Sequence, residues 1–437
     1  MRLTGNGGGP GWTLPLPLLL VVLMVGALVA EPAYQADKRP LQCFMKGAAD
    51  WDAAEFKAIQ DKGDLFATWP PDEAGKAAID ACGKTLWEKH QEFFTKLIAT
   101  WETVIAEPLP TYPPEQVAAL RTTTPVVHLS FCRNMGNVFR LVAIHRAWAG
   151  HPEEALPLFL LCLRFSQILG AGDGMPPSLL QAMIGVAIGK FALGEPFWDV
   201  LGAKDLPGPL LASVSTHLQR LVKEEPDISV AYDVELTTSH NIVAAETYGP
   251  DSPKRAELLA QGGGKITKEQ LDGFLTTMQK EMARLQDELR ALVKKHRSRP
   301  RELADKAEEL SADVEKSTQT PPTTAQAIWE VMGRTMFVVC FSNPGKALQG
   351  HLEKRYRLMG SALLAAVLVE EAGKPLPLAD LATRLAPRLP RDLMSDKGDR
   401  CLIRVDGNRL VAWSVGKDGQ DDRGDPKKDF LLFVLTR

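Results

Sequence analysis

The stretch that decides the fold is Val138–Leu169, VFRLVAIHRAWAGHPEEALPLFLLCLRFSQIL. Its two halves read as antiparallel helices, in a region spanning Val126 to Leu169, with Gly150-His151 as the turn between them. Pro152 opens the second helix at its first position, where a missing N–H costs little. Pro157 falls inside that helix and predicts a kink or a later start. Gly170–Pro177 makes a second turn, followed by an apolar helix from Ser178 to Leu193. Gly185 and Gly189, one helical turn apart, leave room there for a neighbouring helix, and Lys190 together with the short length favours a buried helix over a membrane span.

Working outward, Trp51–Ala106 is helical in pattern, with Leu86, Phe93, Leu97, Trp101 and Ile105 on one face. PLPTYPP at Pro108–Pro114 punctuates it, and a short helix begins at Gln116. On the other side, Gly262–Gly264 breaks the chain, and Thr267 with Gln270 forms a capping box. A long helix follows, with Leu271, Leu275, Met278, Met282, Leu285, Leu289 and Leu292 in a narrow stripe. It ends in Lys294-Lys295-His296-Arg297, with Arg299 and Arg301 close by. These charges complement the helix dipole and then face solvent, with anionic headgroups or another acidic partner as the alternative. STQTPPTT at Ser317–Thr324 is a linker, and helices follow at Ala325–Phe341 and Lys346–Ala372; the later part of the second is apolar enough to be buried. Ala143, Gly150, Ala155 and Phe159 fall at the spacings of a tetratricopeptide repeat, a resemblance that covers one repeat without a second copy.

The texture changes after Gly373. Leu378–Leu385 reads as a short helix, and Cys401–Val405, Arg409–Val415 and Asp429–Leu435 as strands, with Asp406-Gly407 a hairpin signal. The fold class is therefore mainly α: a helical-hairpin, weakly tetratricopeptide-like array followed by a small C-terminal α+β unit with a three-stranded antiparallel sheet. The organisation is an export or anchor segment (1–30), a helical body (40–316), the linker (317–324), helices packing on the body (325–372) and the C-terminal unit (373–437).

The loop SVGKDGQDDRGD followed by Asp429-Phe430 resembles the last loop of type II secretion major pseudopilins, which binds calcium. The wider run Tyr356–Arg437 is similar to uncharacterised bacterial exported proteins that join a helical body to such a tail; Gly373, Leu378–Leu389, Pro390-Arg391-Asp392 and Asp406-Gly407 fill the corresponding places. The resemblance implies calcium as cofactor. Asp418 and Asp429 match the two family positions, and Asp422 and Asp425 serve as intervening oxygen donors. Arg423, Lys417, Lys427 and Lys428 depart from the pattern by crowding the loop with cations, and without a metal the same residues make a solvated turn.

Leu14–Ala30, LPLPLLLVVLMVGALVA, fits a signal peptide, with cleavage after Val25-Gly26-Ala27, or a single membrane anchor. Both place the body outside the cytoplasm, in the cell envelope or beyond. Gly11-Trp12-Thr13-Leu14 resembles a prepilin cleavage motif, but Leu16 stands where its glutamate belongs and Pro15 and Pro17 interrupt the helix. The six cysteines show no zinc or CxxC spacing: Cys43 and Cys82 can bridge two helices, whereas Cys132, Cys162 and Cys340 sit in apolar surroundings as small buried hydrophobes. With 51 Lys+Arg against 54 Asp+Glu, the near-neutral chain has no field for nucleic acid.

No phosphate loop, HExxH or Gly-x-Ser-x-Gly motif occurs, and the histidines are not paired at metal-ligand spacing. His145 reads as a satisfied core or groove residue, Ser239-His240 as neighbours in sequence only, and Asp233 and Glu235 as carboxylates that diverge on a helix. No residue is assigned a catalytic role. The resulting expectation is a non-catalytic exported or membrane-anchored helical scaffold that binds another protein. The alternatives are an accessory component of a secretion or pilus-like envelope machine, and an envelope enzyme whose site the sequence does not display. Intact mass in soluble and membrane fractions separates the two N-terminal fates: a chain starting near Leu28 marks cleavage, and a full-length membrane-bound chain marks an anchor.

Overall fold

The pattern that places Val138–Leu169 in two helices is realised in the computed structural model as α3 (Leu129–Trp148) and α4 (Pro152–Ala171). The structure describes residues 71–112, 129–172, 176–203, 205–241, 267–296, 299–319, 324, 327, 330–334, 344–371, 376–395 and 397–437. The export segment, Cys43, the prepilin-like motif, Gly262–Gly264, Cys340 and most of the helix expected at Ala325–Phe341 lie outside them.

Helix α4 starts at Pro152 and runs continuously through Pro157, so the later start does not occur. Pro157 lies near the N-terminus, where the exposed Glu153 can turn its spare carbonyl to water. From Ala155 to Leu169 every residue of α4 is buried, as befits a helix apolar on all sides. By length and composition α4 could cross a membrane, but 83% of its apolar window is buried inside the protein, so it is a core helix here.

Helices α1 (Glu73–Lys89) and α2 (Gln91–Ala106) meet at a break on His90. Within α2, Phe94 is fully buried and Phe93 only partly, which corrects the expected stripe: Phe94 lies nearer the middle of the face that Leu97, Trp101, Val104 and Ile105 bury. Helix α5 (Leu179–Ala192) is capped by Ser178, whose hydroxyl accepts from the Gln181 N–H at 3.1 Å. A Cβ at Gly185 would lie 2.5 Å from the Ser166 carbonyl oxygen of α4, and one at Gly189 would collide with the Lys354 side chain. The two glycines therefore admit neighbours on both sides. Helices α6 (Glu195–Leu201), α7 (Gly208–Lys223) and α8 (Ile228–Asn241) complete this layer.

Helix α9 (Lys268–His296) begins with the reciprocal capping box: Thr267 N donates to Gln270 Oε1 at 2.9 Å, and Gln270 N to Thr267 Oγ1 at 3.2 Å. Its stripe is buried from Leu271 to Leu289 and half-buried at Leu292. Helix α10 (Pro300–Gln319) follows and packs beside it. Because α10 runs through Ser317, Thr318 and Gln319, the linker cannot start at Ser317. The hydroxyls of Ser317 and Thr318 donate back to the carbonyls of Val314 and Glu315, which lets these polar residues stay helical.

Helix α11 (Pro344–Glu370) is the spine, touching α5, α7, α10 and the sheet. Its apolar end is buried as expected, but so are Lys354 and Tyr356 in the polar HLEKRYR segment. Lys354 Nζ lies 2.8 Å from Glu225 Oε1, Gln167 Nε2 donates to Glu225 Oε2 at 3.0 Å, and His351 Nδ1 lies 3.9 Å from Glu225 Oε1. Three elements thus converge on one buried carboxylate: α4, the α7–α8 turn and α11.

Helix α12 (Leu378–Leu385) leads through a 3-10 turn (Ala386–Arg388) into β1 (Leu402–Asp406), β2 (Arg409–Ser414) and β3 (Phe430–Thr436), an antiparallel sheet in the order β1-β2-β3. Gly407, at φ +59°, and Asn408 make the two-residue hairpin turn. Leu402 faces Trp413 and Ala412 faces Phe433, with a bulge between Ala412 and Trp413. Strands β2 and β3 are buried almost throughout, whereas β1 is half-buried at its start and exposed at its end. The strands share one apolar cluster with α1–α7 and α11, and Trp198 Nε1 of α6 donates to Ser361 Oγ of α11 at 2.9 Å. A second cluster joins α5, α8, α9, α10 and the start of α11.

The buried carboxylate cluster predicts both a mutational and a pH effect. Lys354→Ala, which strands Glu225 in the interior, costs about 3–5 kcal/mol in urea unfolding, while the paired Glu225→Gln/Lys354→Met chain loses less. Burial holds the His351 pKa below its ordinary 6.5. Burial pushes Glu225 upward, but Lys354, His351 and Gln167 outweigh it and hold its pKa below 4.5. Both groups bind protons more readily in the unfolded chain, so their stabilisation is complete above about pH 6.5. It is lost on acidification, first through His351 and then as pH falls through the folded value of Glu225, and the urea midpoint should fall accordingly.

Candidate functional site

The loop between β2 and β3 folds largely on its own backbone. Asp418 Oδ1 accepts from Gln420 N at 3.0 Å, Asp421 Oδ1 from Arg423 N at 2.9 Å and Asp425 Oδ1 from Lys427 N at 2.9 Å. Asp421 Oδ1 also accepts from Trp413 Nε1 at 3.0 Å. Asp429, 3% exposed, accepts from Gly424 N at 2.7 Å through Oδ2. Burial pushes the Asp429 pKa up; N–H groups of Gly424 and Asp422 oppose this, and the charges of Asp422 and Asp421 add to it. Lys428 Nζ lies 2.8 Å from Asp422 Oδ1, and its pKa is raised by that hydrogen bond and by the charges of Asp422, Asp418 and Asp425.

Calcium takes about six to eight oxygens at 2.3–2.6 Å, so its ligand atoms crowd within about 5 Å of one another. No three carboxylates of this loop do so; among the described residues the one such group is His151, Glu153 and Glu154. That group spans the N-cap and first turn of α4, with Arg146 paired to Glu154, and the positive end of a helix beside a guanidinium is a poor place for a cation. In the loop, Asp422 Oδ2 and Asp429 Oδ1 are buried without a hydrogen-bond partner. Asp422 and Asp429 therefore offer donors, but Asp418 and Asp425 do not join them, and the loop does not fit a calcium cage.

The basic cluster after α9 divides. Lys294 and Lys295 are exposed as expected, but His296 is buried, with Nδ1 3.2 Å from Glu302 Oε2, so it does not face solvent. Arg301 Nη1 donates to the Met394 carbonyl at 3.2 Å and Nη2 to that of Asp418 at 3.1 Å. Lys417 pairs with Glu308 of α10. Of this cluster, Arg301 thus reaches the acidic loop of the same chain through the Asp418 main-chain oxygen.

The other polar candidates have structural employment. Asp392 is buried and accepts from Ser414 Oγ at 2.7 Å, Val415 N at 2.8 Å and Met394 N at 2.9 Å, fastening the segment before β1 to the end of β2. Sequence reasoning placed it in a turn without seeing this role. On α8, Asp233 is exposed and lies 3.9 Å from Arg290, while Glu235 Oε2 accepts from Leu179 N at 3.0 Å and caps α5; the two carboxylates diverge as the helix requires. His217 Nδ1 lies 2.8 Å from the Ser213 carbonyl, and the Ser213 hydroxyl donates to Glu102, which is not the relay of a nucleophilic triad. Cys132 and Cys162 are buried, and burial pushes the Cys162 thiol up to about 12, which makes it an inert hydrophobe. The side chains of Ser239 and His240 lie outside the described residues.

A groove of about 710 Å³ runs between α1 and α3. Trp87 and Trp148 line it, with the Arg146 guanidinium 4.4 Å from the Trp87 ring centroid and Lys76 Nζ 5.6 Å from that of Trp148. His145 also lines it, with Nδ1 2.8 Å from Asp80 Oδ1, in the groove position expected for it. Glu73, Lys84 and Glu88 add charges of both signs. No protein-family model, curated protein or solved structure matches this chain.

Asp392→Ala, which orphans three donors, costs about 3 kcal/mol or more in urea unfolding, whereas Asp233→Ala is neutral within about 0.5 kcal/mol.

Proposed function

We propose that the chain is an exported or membrane-anchored helical scaffold that binds another protein. The observation that carries this reading is the α1–α3 groove, with its two tryptophans each beneath a cation. Tryptophan and arginine are the residues that most often anchor protein interfaces, because they bury large areas and retain a polar handle. The mixed charges around the groove supply register and a hydrated rim. Support also comes from the interior, where Asp392, Glu225, Lys354 and Gln167 are engaged in joining elements of the fold.

A photo-crosslinking residue at Lys84, in the groove, and another at Lys306, exposed on α10, test the reading in cells. A discrete adduct from position 84 but not from 306, weakened about tenfold or more by Trp148→Ala, is the expected result. The same adducts from both positions, or an adduct indifferent to Trp148, would overturn it.

A further inference from the structure

We propose that the outer edge of β1 pairs antiparallel with β1 of a second copy of this chain, with Val405 of the two copies on the two-fold axis. The inference is independent of the groove.

The sheet runs in the order β1-β2-β3, so β1 has β2 on one side only. Asp406 faces Arg409 across the two-residue turn, and Arg404 and Leu402 follow at alternate positions. Such a turn is closed by a hydrogen-bonded pair, so these three residues spend their N–H and C=O groups on β2, and those of Cys401, Ile403 and Val405 point the other way. Cys401 bears out the parity: its N–H donates to the Pro390 carbonyl at 3.0 Å, in a short stub where Arg391 bridges Arg400. Beyond this stub the edge is open, since among the described residues nothing hydrogen-bonds the main chain of Ile403 or Val405 on that side. Helix α12 touches both β1 and β2, so it packs on a face of the sheet rather than along its edge.

Outer strands commonly repel copies of themselves with like charges or proline. Here the charges have opposite signs. Arg404 and Asp406 stand two apart on one face, 3.4 Å from each other, with side chains 41% and 70% exposed. Val405 between them is exposed on the other face. Three antiparallel registers bring the open main-chain groups of two copies together. Pairing centred on Ile403 needs Cys401, whose N–H is already taken. Pairing centred on Arg404 sets two guanidiniums against each other. Pairing centred on Val405 sets Arg404 against the partner's Asp406, and Asp406 against the partner's Arg404. One contact thus yields two opposite-charge pairs, as an isologous interface allows. In that register the partner's turn at Gly407 falls opposite Ile403, so the partner's chain turns away before it meets the stub at Cys401. So short an edge cannot bury the roughly 1,000 Å² of a stable interface, and the dimer is weak and concentration-dependent.

A disulfide trap reads this register in the full chain. Cα atoms of a hydrogen-bonded antiparallel pair lie about 5.5 Å apart, within disulfide reach. Under mild oxidation Val405→Cys should give a covalent dimer at least about tenfold above both the wild-type chain and Val230→Cys. Val230 is a comparably exposed position on α8. In the Val405→Cys background, Arg404→Asp or Asp406→Arg turns both charge pairs repulsive and should cut the yield about tenfold. Mixing these two chains, one carrying a size tag, should restore it as dimers of mixed composition, because every cross-strand pair is then opposite in sign. The altered positions are exposed, so these chains should fold, and far-UV circular dichroism verifies that they do. Equal trapping at 405 and 230 overturns the inference. So does a trapped dimer indifferent to the charge changes, or a mixture that recovers nothing.

Discussion

Much of this molecule depends on one buried ion pair. Glu225 sits in the turn between α7 and α8, and Lys354 reaches it from the middle of α11 through the gap left by Gly189 on α5. Gln167 on α4, donating through Nε2, completes the set of donors around the carboxylate. A pair of this kind adds little net stability over a well-packed apolar substitute, because both charges must be stripped of water. Its contribution is positional: half of a buried pair is far worse than none. The helices that carry Glu225, Gln167 and Lys354 are therefore obliged to meet at one point. That point lies between the two apolar clusters, where hydrophobic contact alone would tolerate sliding.

The sequence makes legible whatever is specified within a few residues. The turn at Gly150-His151, the Thr267–Gln270 box, the hairpin at Gly407 and the bounds of α12 all arise from neighbours along the chain, and they are found within a residue or two of their expected places. The failures share a different origin. Lys354 reads as polar in HLEKRYR because its partner is Glu225, far away in the chain. His296 reads as part of a solvated basic tail because Glu302 lies across a turn. Phe94 replaces Phe93 in the core because two adjacent aromatics both stand within a turn of Leu97, and the burial of Trp101 and Ile105 sets the face nearer to Phe94. Periodicity reports which face is apolar; it does not report which charge has been taken inside.

The same distinction governs the candidate sites. An acidic loop with glycine turns has the composition of a cation site, and composition does not say where the carboxylates point. Here most of them fold back on the loop, and Lys428 pairs with Asp422 at its surface. Of the groove, His145 alone gave a hint. Trp87 and Trp148 are ordinary aromatic helix residues in sequence, and only the packing of α1 against α3 brings them to one depression. Asp392 belongs with them: one aspartate in a Pro-Arg-Asp turn has nothing to distinguish it until Ser414 and Val415 arrive from β2.

The sheet that closes the chain is seated against α6 and α11, and β3 belongs to the same apolar cluster as α4. This has a consequence for biosynthesis. A polypeptide emerging from its N-terminus presents α6 long before residues 430–436 exist to cover it. Contacts of such long sequence separation cannot reward early ordering, so α6 waits through a long interval without its final cover. A product that stops short of β3 would be recognised by the cell's quality control through the exposed flanks of α6 and α11.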